Sequence, residues 1–306
     1  MKKIACIGEV MVELSPAGSN TFRIDVAGDT YNTAVYLRRA LPGSHAEIGY
    51  VTALGRDEMS EWILASLEKE NLSTRHIELR SGKTPGLYMI DVDSTGERTF
   101  SYWRSDSAAR TLFLYPAAVL PETLEEYDIV YASGITLAIL AEEARERFFD
   151  WIESFREAGG LFAFDSNYRP RLWQNVHVAA RDTMIAWSLC DIALPSLDDE
   201  LLLFGDPGEA AVVERLRYAG VKYGALKRGK RGPLALDGSN LGINVLPVTE
   251  VVDTTAAGDS FNAGFLASYC RGHHLGACMR AGHELSVTVI RHPGAIIQMT
   301  VGRLVN

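Results

Sequence analysis

The stretch Val251-Val252-Asp253-Thr254-Thr255-Ala256-Ala257-Gly258-Asp259-Ser260-Phe261 constrains this chain more than any other. Two apolar residues lead into a turn of small side chains. The helical spacing of Phe261, Phe265, Leu266 and Tyr269 then predicts a helix from about Ala257 to Arg271, stopped by Gly272. Ala256, Ala257 and Gly258 carry little side chain, so an anion could come close to the first-turn N–H groups. Free donors and the macrodipole favour negative charge there. Asp259 conflicts with that preference, because it puts a carboxylate where an incoming phosphate wants positive charge. The conflict resolves if Asp259 is a base, taking a proton from a hydroxyl as it attacks a phosphoryl group. An ordinary capped helix with an acidic first turn is the alternative, and the pattern alone leaves both open.

The wording from Asp253 to Phe261 closely resembles the C-terminal signature of the ribokinase-like (PfkB) carbohydrate kinases. The resemblance implies that Ala256, Ala257 and Gly258 form an anion hole for the transferring phosphate and that Asp259 is the catalytic base. Ala256 stands where many members have glycine.

Composition agrees with a soluble enzyme. A chain of 306 residues, 47% hydrophobic, can fill one large α/β core or two smaller ones. Its formal charge of −9 argues against nucleic acid or an anionic membrane as a main partner. Cys6, Cys190, Cys270 and Cys278 show no CxxC pairing and read as reduced, mostly buried thiols of a cytoplasmic protein. Met1 to Cys6 runs into Gly8 and Glu9 too soon for a signal-peptide core, and no apolar run is long enough to span a bilayer. Neither a Walker A loop, nor a GxGxxG after a strand, nor an HExxH pair is present; in Gly82-Lys83-Thr84 the Walker ending lacks its first glycine, replaced by Ile77.

In chain order, Ile4 to Ile7 is an apolar run suited to a strand buried on both faces. From Glu9 to Asp25 the chain is mixed, with Glu13, Phe22 and Ile24 spaced like short exposed strands. Gly28-Asp29 reads as a turn and cap before a helix that runs to about Ala40. The same residues resemble the family's Gly-Gly-Asp-x-x-Asn motif, with Ala27 in the first position, which implies that Gly28, Asp29 and Asn32 hold sugar hydroxyls. Asp57 caps a helix with Met59, Trp62, Ile63 and Leu67 inward.

Gly86–Asp91 and Arg98–Arg104 flank the turn-forming Asp93-Ser94-Thr95-Gly96-Glu97, a hairpin signal. Alternation puts Arg98, Phe100, Tyr102 and Arg104 on one face, with Tyr88 and Ile90 on one face of the partner strand. A solvated hairpin face would explain that mixture; so would contact with an anionic ligand, since Arg clamps a carboxylate with two parallel hydrogen bonds. In the resembled family this hairpin, about 84–106, joins residues 9–25 as a small β lid over the sugar. Pro85-Gly86-Leu87-Tyr88, Asp93 to Phe100 and Tyr102-Trp103-Arg104 look like the 2-keto-3-deoxygluconate kinases of the family, in which such Tyr and Arg residues hold the sugar-acid carboxylate.

Beyond Asp128 the rhythm becomes strand, helix, strand, as in parallel βαβ units. Leu161–Phe164 ends at Asp165-Ser166-Asn167-Tyr168-Arg169-Pro170, where open α/β sheets bind ligands, although an Asx-stabilised turn also explains the cluster. Asp165 to Trp173 resembles the same sugar-acid kinases, implying Asn167 near nucleotide phosphates and Arg169 on the substrate. Ser196 to Glu200 has a capping-box look; Ser196 and Asp199 fall where the family often has Asn-x-x-Glu near metal, and no metal ligand is assigned. Lys227-Arg228-Gly229-Lys230-Arg231-Gly232 resembles the family's nucleotide loop, with Lys227, Gly229, Gly232 and Gly258 approaching ATP. Strands are also expected over Pro233–Leu236 and Ile243–Pro247, and a last helix over roughly Leu275–Ile290 leads to Pro293-Gly294-Ala295. In relatives that loop closes the nucleotide and monovalent-ion site, but His292-Pro293 is an unusual filling.

The resemblance thus implies one ribokinase-like domain over 1–306: a three-layer α/β fold, mostly parallel sheet, helices on both faces and the β lid. It implies ATP with Mg2+, a monovalent cation such as K+ as a further candidate, and a sugar acid, 2-keto-3-deoxygluconate, phosphorylated at its 6-hydroxyl. Fructose or another ketose is the runner-up substrate. A non-catalytic sugar-binding protein on the same fold is the alternative of another class, against which Asp259 counts. A homo-oligomer, dimer or larger, is expected from the lid strands.

Overall fold

The computed structural model describes residues 1–18, 21–92, 98–239, 241 and 250–298. The first half of the chain runs β1 (Lys2–Ile7), β2 (Met11–Gly18), β3 (Thr21–Ala27), α1 (Asp29–Ala40), β4 (Ala46–Leu54), α2 (Glu58–Lys69), β5 (Ile77–Leu79), β6 (Gly86–Val92) and β7 (Arg98–Trp103). The second half runs β8 (Ile129–Ser133), α3 (Gly134–Ile139), α4 (Glu142–Glu157), β9 (Leu161–Asp165), α5 (Val176–Leu189), β10 (Ile192–Ala193), α6 (Leu197–Phe204), α7 (Glu209–Tyr218), β11 (Ala225–Leu226), β12 (Leu234–Ala235), α8 (Ala257–Cys270) and α9 (Leu275–Val289).

A six-stranded sheet in the order β10-β9-β8-β1-β4-β5 forms the middle layer, and its paired strands are all parallel. β1 lies near its centre because Ile4 to Ile7 can be buried on both sides at once. Alternate residues serve two cores. Ala5 and Ile7 join Phe148, Ile152 and Trp187 beneath α4 and α5. Ile4 and Cys6 join Val35, Phe265 and Met279 beneath α1, α8 and α9. Bridges from Ala193 to Gly224 and from Ser196 to Lys227 carry the parallel pattern on to β11, so the basic loop after it opens beside the ends of β9 and β10. A second, four-stranded sheet in the order β3-β2-β6-β7 is the one the hairpin and residues 9–25 lead one to expect. The four cysteines are free, three of them buried.

Several local expectations are corrected. Met59 is 43% exposed. Asp57 caps α2 by accepting from the N–H groups of Met59 and Ser60, and Ser60, not Met59, is drawn inward to bond Gly55 and Asp57. Glu13, expected on an exposed strand, is 2% exposed, because β2 lies between β3 and β6 and its inner face meets Tyr88. Asp29 is the first residue of α1 and does not cap it; its carboxylate reaches across to Ser133 and Asn167. The capping box at Ser196 does not form, since Asp199 turns to Arg169 and Glu200 to Arg215. The expected strand over 243–247, the turn at 93–97 and the side chain of Arg98 lie outside what is described.

The α8 helix was expected to bury one stripe, but every residue from Asp259 to Ser268 is buried, because it packs against both α1 and α9. Two glycines permit the approach to α9. A Cβ at Gly264 would lie 2.5 Å from the Ala281 carbonyl oxygen, and one at Gly282 would lie 2.8 Å from that of Phe261. Backbone faces backbone at both contacts, so nothing flexible can yield. Gly264→Ala should therefore destabilise the protein by about 1–3 kcal/mol despite alanine's better helix propensity, as overpacked cores do. Urea denaturation of the two proteins gives the comparison; an unchanged midpoint would mean that the helices separate at no cost.

Candidate active site

A cavity of about 1560 Å³ opens over the carboxyl ends of the parallel strands, between the four-stranded sheet and the N-terminus of α8. That is where the crevice of an open α/β sheet is expected. It gathers all fifteen candidate residues named from the sequence: Gly28, Asp29, Asn32, Tyr88, Tyr102, Arg104, Asn167, Arg169, Lys227, Gly229, Gly232, Ala256, Ala257, Gly258 and Asp259.

Asp259 sits in the first turn of α8 and is 9% exposed. The amide of Asn32 on α1 donates to its Oδ2 at 2.8 Å, and Thr33 Oγ1 donates to its backbone carbonyl at 3.2 Å. The turn before it is tightly wound. Ala256 adopts a left-handed φ of 59°, which costs an alanine roughly 1–2 kcal/mol that glycine would not pay. Asp253 fixes the turn: Oδ1 accepts from the N–H of Thr255 at 3.0 Å, and Oδ2 from the N–H of Gly294 at 2.8 Å. The turn is thereby tied to the last described loop. One expectation is narrowed here, since the Ala257 N–H already donates to the Thr254 carbonyl at 3.2 Å. Space remains open above Gly258, where a Cβ would have Lys227 Nζ as its nearest neighbour at 3.6 Å. An anion at this helix end would therefore meet a cation as well as the helix dipole.

Lys227 is held in place by partners that the sequence did not single out. Its Nζ pairs with Asp165 Oδ1 at 2.8 Å and donates to Asn262 Oδ1 at 3.1 Å. The amide of Asn262 in turn donates to Asp165 Oδ2 at 2.6 Å. Asn262 lies one turn beyond Asp259 on α8, which is the only sequence signal that could have pointed to it. Close by, the Asn167 amide donates to Asp29 Oδ2 at 2.8 Å, and Asp29 also accepts from Ser133. Asn167 itself has a positive φ of 27°. On the sheet side, Tyr88, Phe100 and Tyr102 form a ring cluster, with Tyr88 and Tyr102 centroids 5.7 Å apart. Arg104 follows them, buried and paired with Glu9, while one further buried atom on each, Arg104 Nε and Glu9 Oε1, has no hydrogen-bond partner. Arg169 faces Asp199 at 3.2 Å.

The electrostatics favour a proton on Asp259. Burial, and then repulsion from Asp29, push its carboxyl up to about 8, against the pull of the Asn32 hydrogen bond and of Lys227. Burial also raises Asp29 and Asp199, with Ser133 and Arg169 respectively drawing them back. A group raised this far holds its proton through neutral pH and has to release it before it can act as a base. Among the described residues no cluster of three or more His, Cys, Asp or Glu side chains could cage a metal ion.

The shift has a sign for stability. Between about pH 4 and pH 8 folded Asp259 keeps a proton that the unfolded chain has released, so this residue's contribution falls as pH rises through that window. Asp259→Asn should accordingly melt higher than the parent at pH 8, with the gain shrinking toward pH 4. Thermal denaturation at the two pH values tests this; equal gains at both would mean that the raised carboxyl is not the cause.

A family model described as pfkB family carbohydrate kinase matches residues 1–301. The chain is 42% identical over 304 residues to the 2-dehydro-3-deoxygluconokinase of Dickeya dadantii (strain 3937), with 97% of each chain covered. It is likewise 42% identical over 302 residues to the protein of that name from Escherichia coli (strain K12), again with 97% of each covered. A crystal structure of 2-dehydro-3-deoxygluconokinase from Thermotoga maritima matches with a TM-score of 0.81 at 20% identity, over 99% of this chain and 97% of that one. At that identity the likeness speaks for the fold alone, which is ribokinase-like α/β. The chain therefore belongs to the pfkB family and is a carbohydrate kinase.

Proposed function

We propose that this kinase transfers the γ-phosphoryl group of ATP to the 6-hydroxyl of 2-keto-3-deoxygluconate (the 2-dehydro compound of the relatives' names), giving 2-keto-3-deoxy-6-phosphogluconate. The observation that carries the reading is one cavity that brings together a buried, proton-avid Asp259 at a helix end and two arginines, Arg104 and Arg169, on its walls. A base without the arginines would suit any hexose. The arginines supply what a sugar acid needs and fructose does not. The 42% identity to two named 2-dehydro-3-deoxygluconokinases supports the same choice.

In this reading Gly28, Asp29 and Asn32 hold sugar hydroxyls, Tyr102, Arg104 and Arg169 surround the carboxylate, and Tyr88 lines the same sugar pocket. Asp259, oriented by Asn32, takes the 6-hydroxyl proton as the oxygen attacks phosphorus in line. Gly258 and its neighbours at the α8 N-terminus, with Lys227, stabilise charge on the transferring group. Asn167, Lys227, Gly229 and Gly232 line the nucleotide side. Without a metal cage in the described residues, Mg2+ fits as a companion of the nucleotide phosphates, whose charge it would neutralise. A monovalent cation such as K+ would belong by the loop at Gly294, and no step is assigned to it. The small sheet acts as a lid that keeps water from competing as acceptor. Its exposed Phe22, Ile24 and Trp103 suit a homo-oligomer built through the lid. We place the enzyme in the cytoplasm; among the described residues no helix is long and apolar enough to cross a membrane.

Asp259→Asn should lower turnover by at least the ~10²–10⁴-fold typical of a general base while sugar binding persists. Turnover near that of the parent would remove Asp259 from the chemistry; a parent with no turnover at all would favour a binding protein. Arg104→Ala should weaken the sugar acid by roughly 10- to 150-fold, the worth of a hydrogen bond to a charged group, mainly in KM. It should leave residual activity on fructose nearly unchanged. Because this variant also strands Glu9, the fructose control is needed: equal losses on both sugars, or a parent enzyme that prefers fructose, would sink the sugar-acid assignment and leave the kinase standing.

A further inference from the structure

Glu13 has no place in the chemistry just described, yet it is buried directly behind the cavity wall. β2 and β6 run parallel with Glu13 beside Tyr88, so the two side chains share a face of the small sheet. The Tyr88 hydroxyl donates to Glu13 Oε2. Tyr88 is itself buried, lines the cavity, and is flanked by the rings of Phe100 and Tyr102. A phenol has one proton to give. Here that proton points away from the cavity, which leaves only the oxygen's lone pairs facing a ligand.

That polarity matters for a sugar acid. An ionised carboxylate accepts hydrogen bonds and cannot donate one, so it gains nothing from an oxygen whose proton is committed elsewhere. It would also meet the Glu13 charge behind it. A sugar hydroxyl can donate to the same oxygen at no such cost. We propose, building on the sugar-acid kinase reading, that Glu13 is a positioning residue: by accepting the Tyr88 proton it makes Tyr88 a reader of a secondary substrate hydroxyl, and the carboxylate is left to Arg104 and Arg169. This removes Tyr88 from the carboxylate clamp that the family resemblance implies. With the 6-hydroxyl at Asp259, the hydroxyl read is the one at C4 or C5, present in both 2-keto-3-deoxygluconate and fructose.

The surroundings of Glu13 fit. Burial pushes its carboxyl up and the Tyr88 hydroxyl draws it back; Asp25 on the neighbouring β3 and Asp253 disfavour its charge, and Arg23 favours it. Tyr88 is driven far above the ordinary phenol range by burial and by Glu13, so the proton stays with the tyrosine when Glu13 is ionised.

The test is steady-state kinetics of Tyr88→Phe, Glu13→Gln and the double variant, on 2-keto-3-deoxygluconate and on fructose, the latter as substrate or competitive inhibitor. Tyr88→Phe should weaken both sugars by the same factor, about 2- to 13-fold for one neutral hydrogen bond, in KM rather than kcat. Loss confined to the sugar acid would overturn the assignment and return Tyr88 to the carboxylate. Glu13→Gln should alter the KM values in the parent and leave them unaltered once residue 88 is phenylalanine, because Glu13 acts through that hydroxyl. An effect that persists in the Tyr88→Phe background would overturn the role of Glu13 and mark it as a packing residue. A parent enzyme that phosphorylates neither sugar would overturn the functional reading itself, and this inference with it.

Discussion

The hydrogen bond from Asn32 to Asp259 joins the first helix of the chain to the eighth, and the site depends on it. A carboxylate at a buried helix end, close to Asp29 and Asp165, is unfavourable as an isolated group. It persists because α8 is enclosed by α1 and α9, so the turn has nowhere else to go. The cost of that placement is what gives Asp259 its affinity for a proton. Stability and reactivity are opposed at this residue by the same burial.

Charge around the cavity is arranged in local pairs: Lys227 with Asp165, Arg104 with Glu9, Arg169 with Asp199. Each cation is pre-oriented by a carboxylate. A phosphate or carboxylate ligand therefore enters a field whose net charge is modest, and gains from fixed geometry more than from raw attraction. The partners come from different elements: Asp165 ends β9 and Lys227 follows β11, Glu9 precedes β2 and Arg104 follows β7, and Asp199 lies on α6.

Much of this was legible in the sequence where the signal is local. The apolar run Ile4–Ile7, the last helix from Leu275 and the antiparallel pairing of β6 with β7 follow from periodicity and turn residues. The site motifs also stood out, and the cavity collects all of them. What was illegible depends on contacts distant in the chain. Glu13 looks like an exposed strand residue until β6 is laid beside it. The Asn262–Asp165 bond spans 97 residues, and nothing in either neighbourhood announces the other. Met59 went wrong for a nearer reason: the cap formed by Asp57 rotated the first turn of α2, so that Ser60 took the inward place.

The two glycine contacts that lock α8 against α9 have a consequence for how such an enzyme can change. Phosphoryl-transfer machinery rests on backbone packed against backbone, where almost any substitution is costly. The tyrosines and Arg104 that line the cavity rest on a separate four-stranded sheet, or just beyond its last strand. Mutational drift in that sheet can reshape this wall of the cavity without disturbing the turn that holds Asp259. The molecule is in this sense modular: a tightly locked frame under the Asp259 turn and a separate small sheet beside it, divided along a boundary that the chain crosses four times between residues 7 and 108.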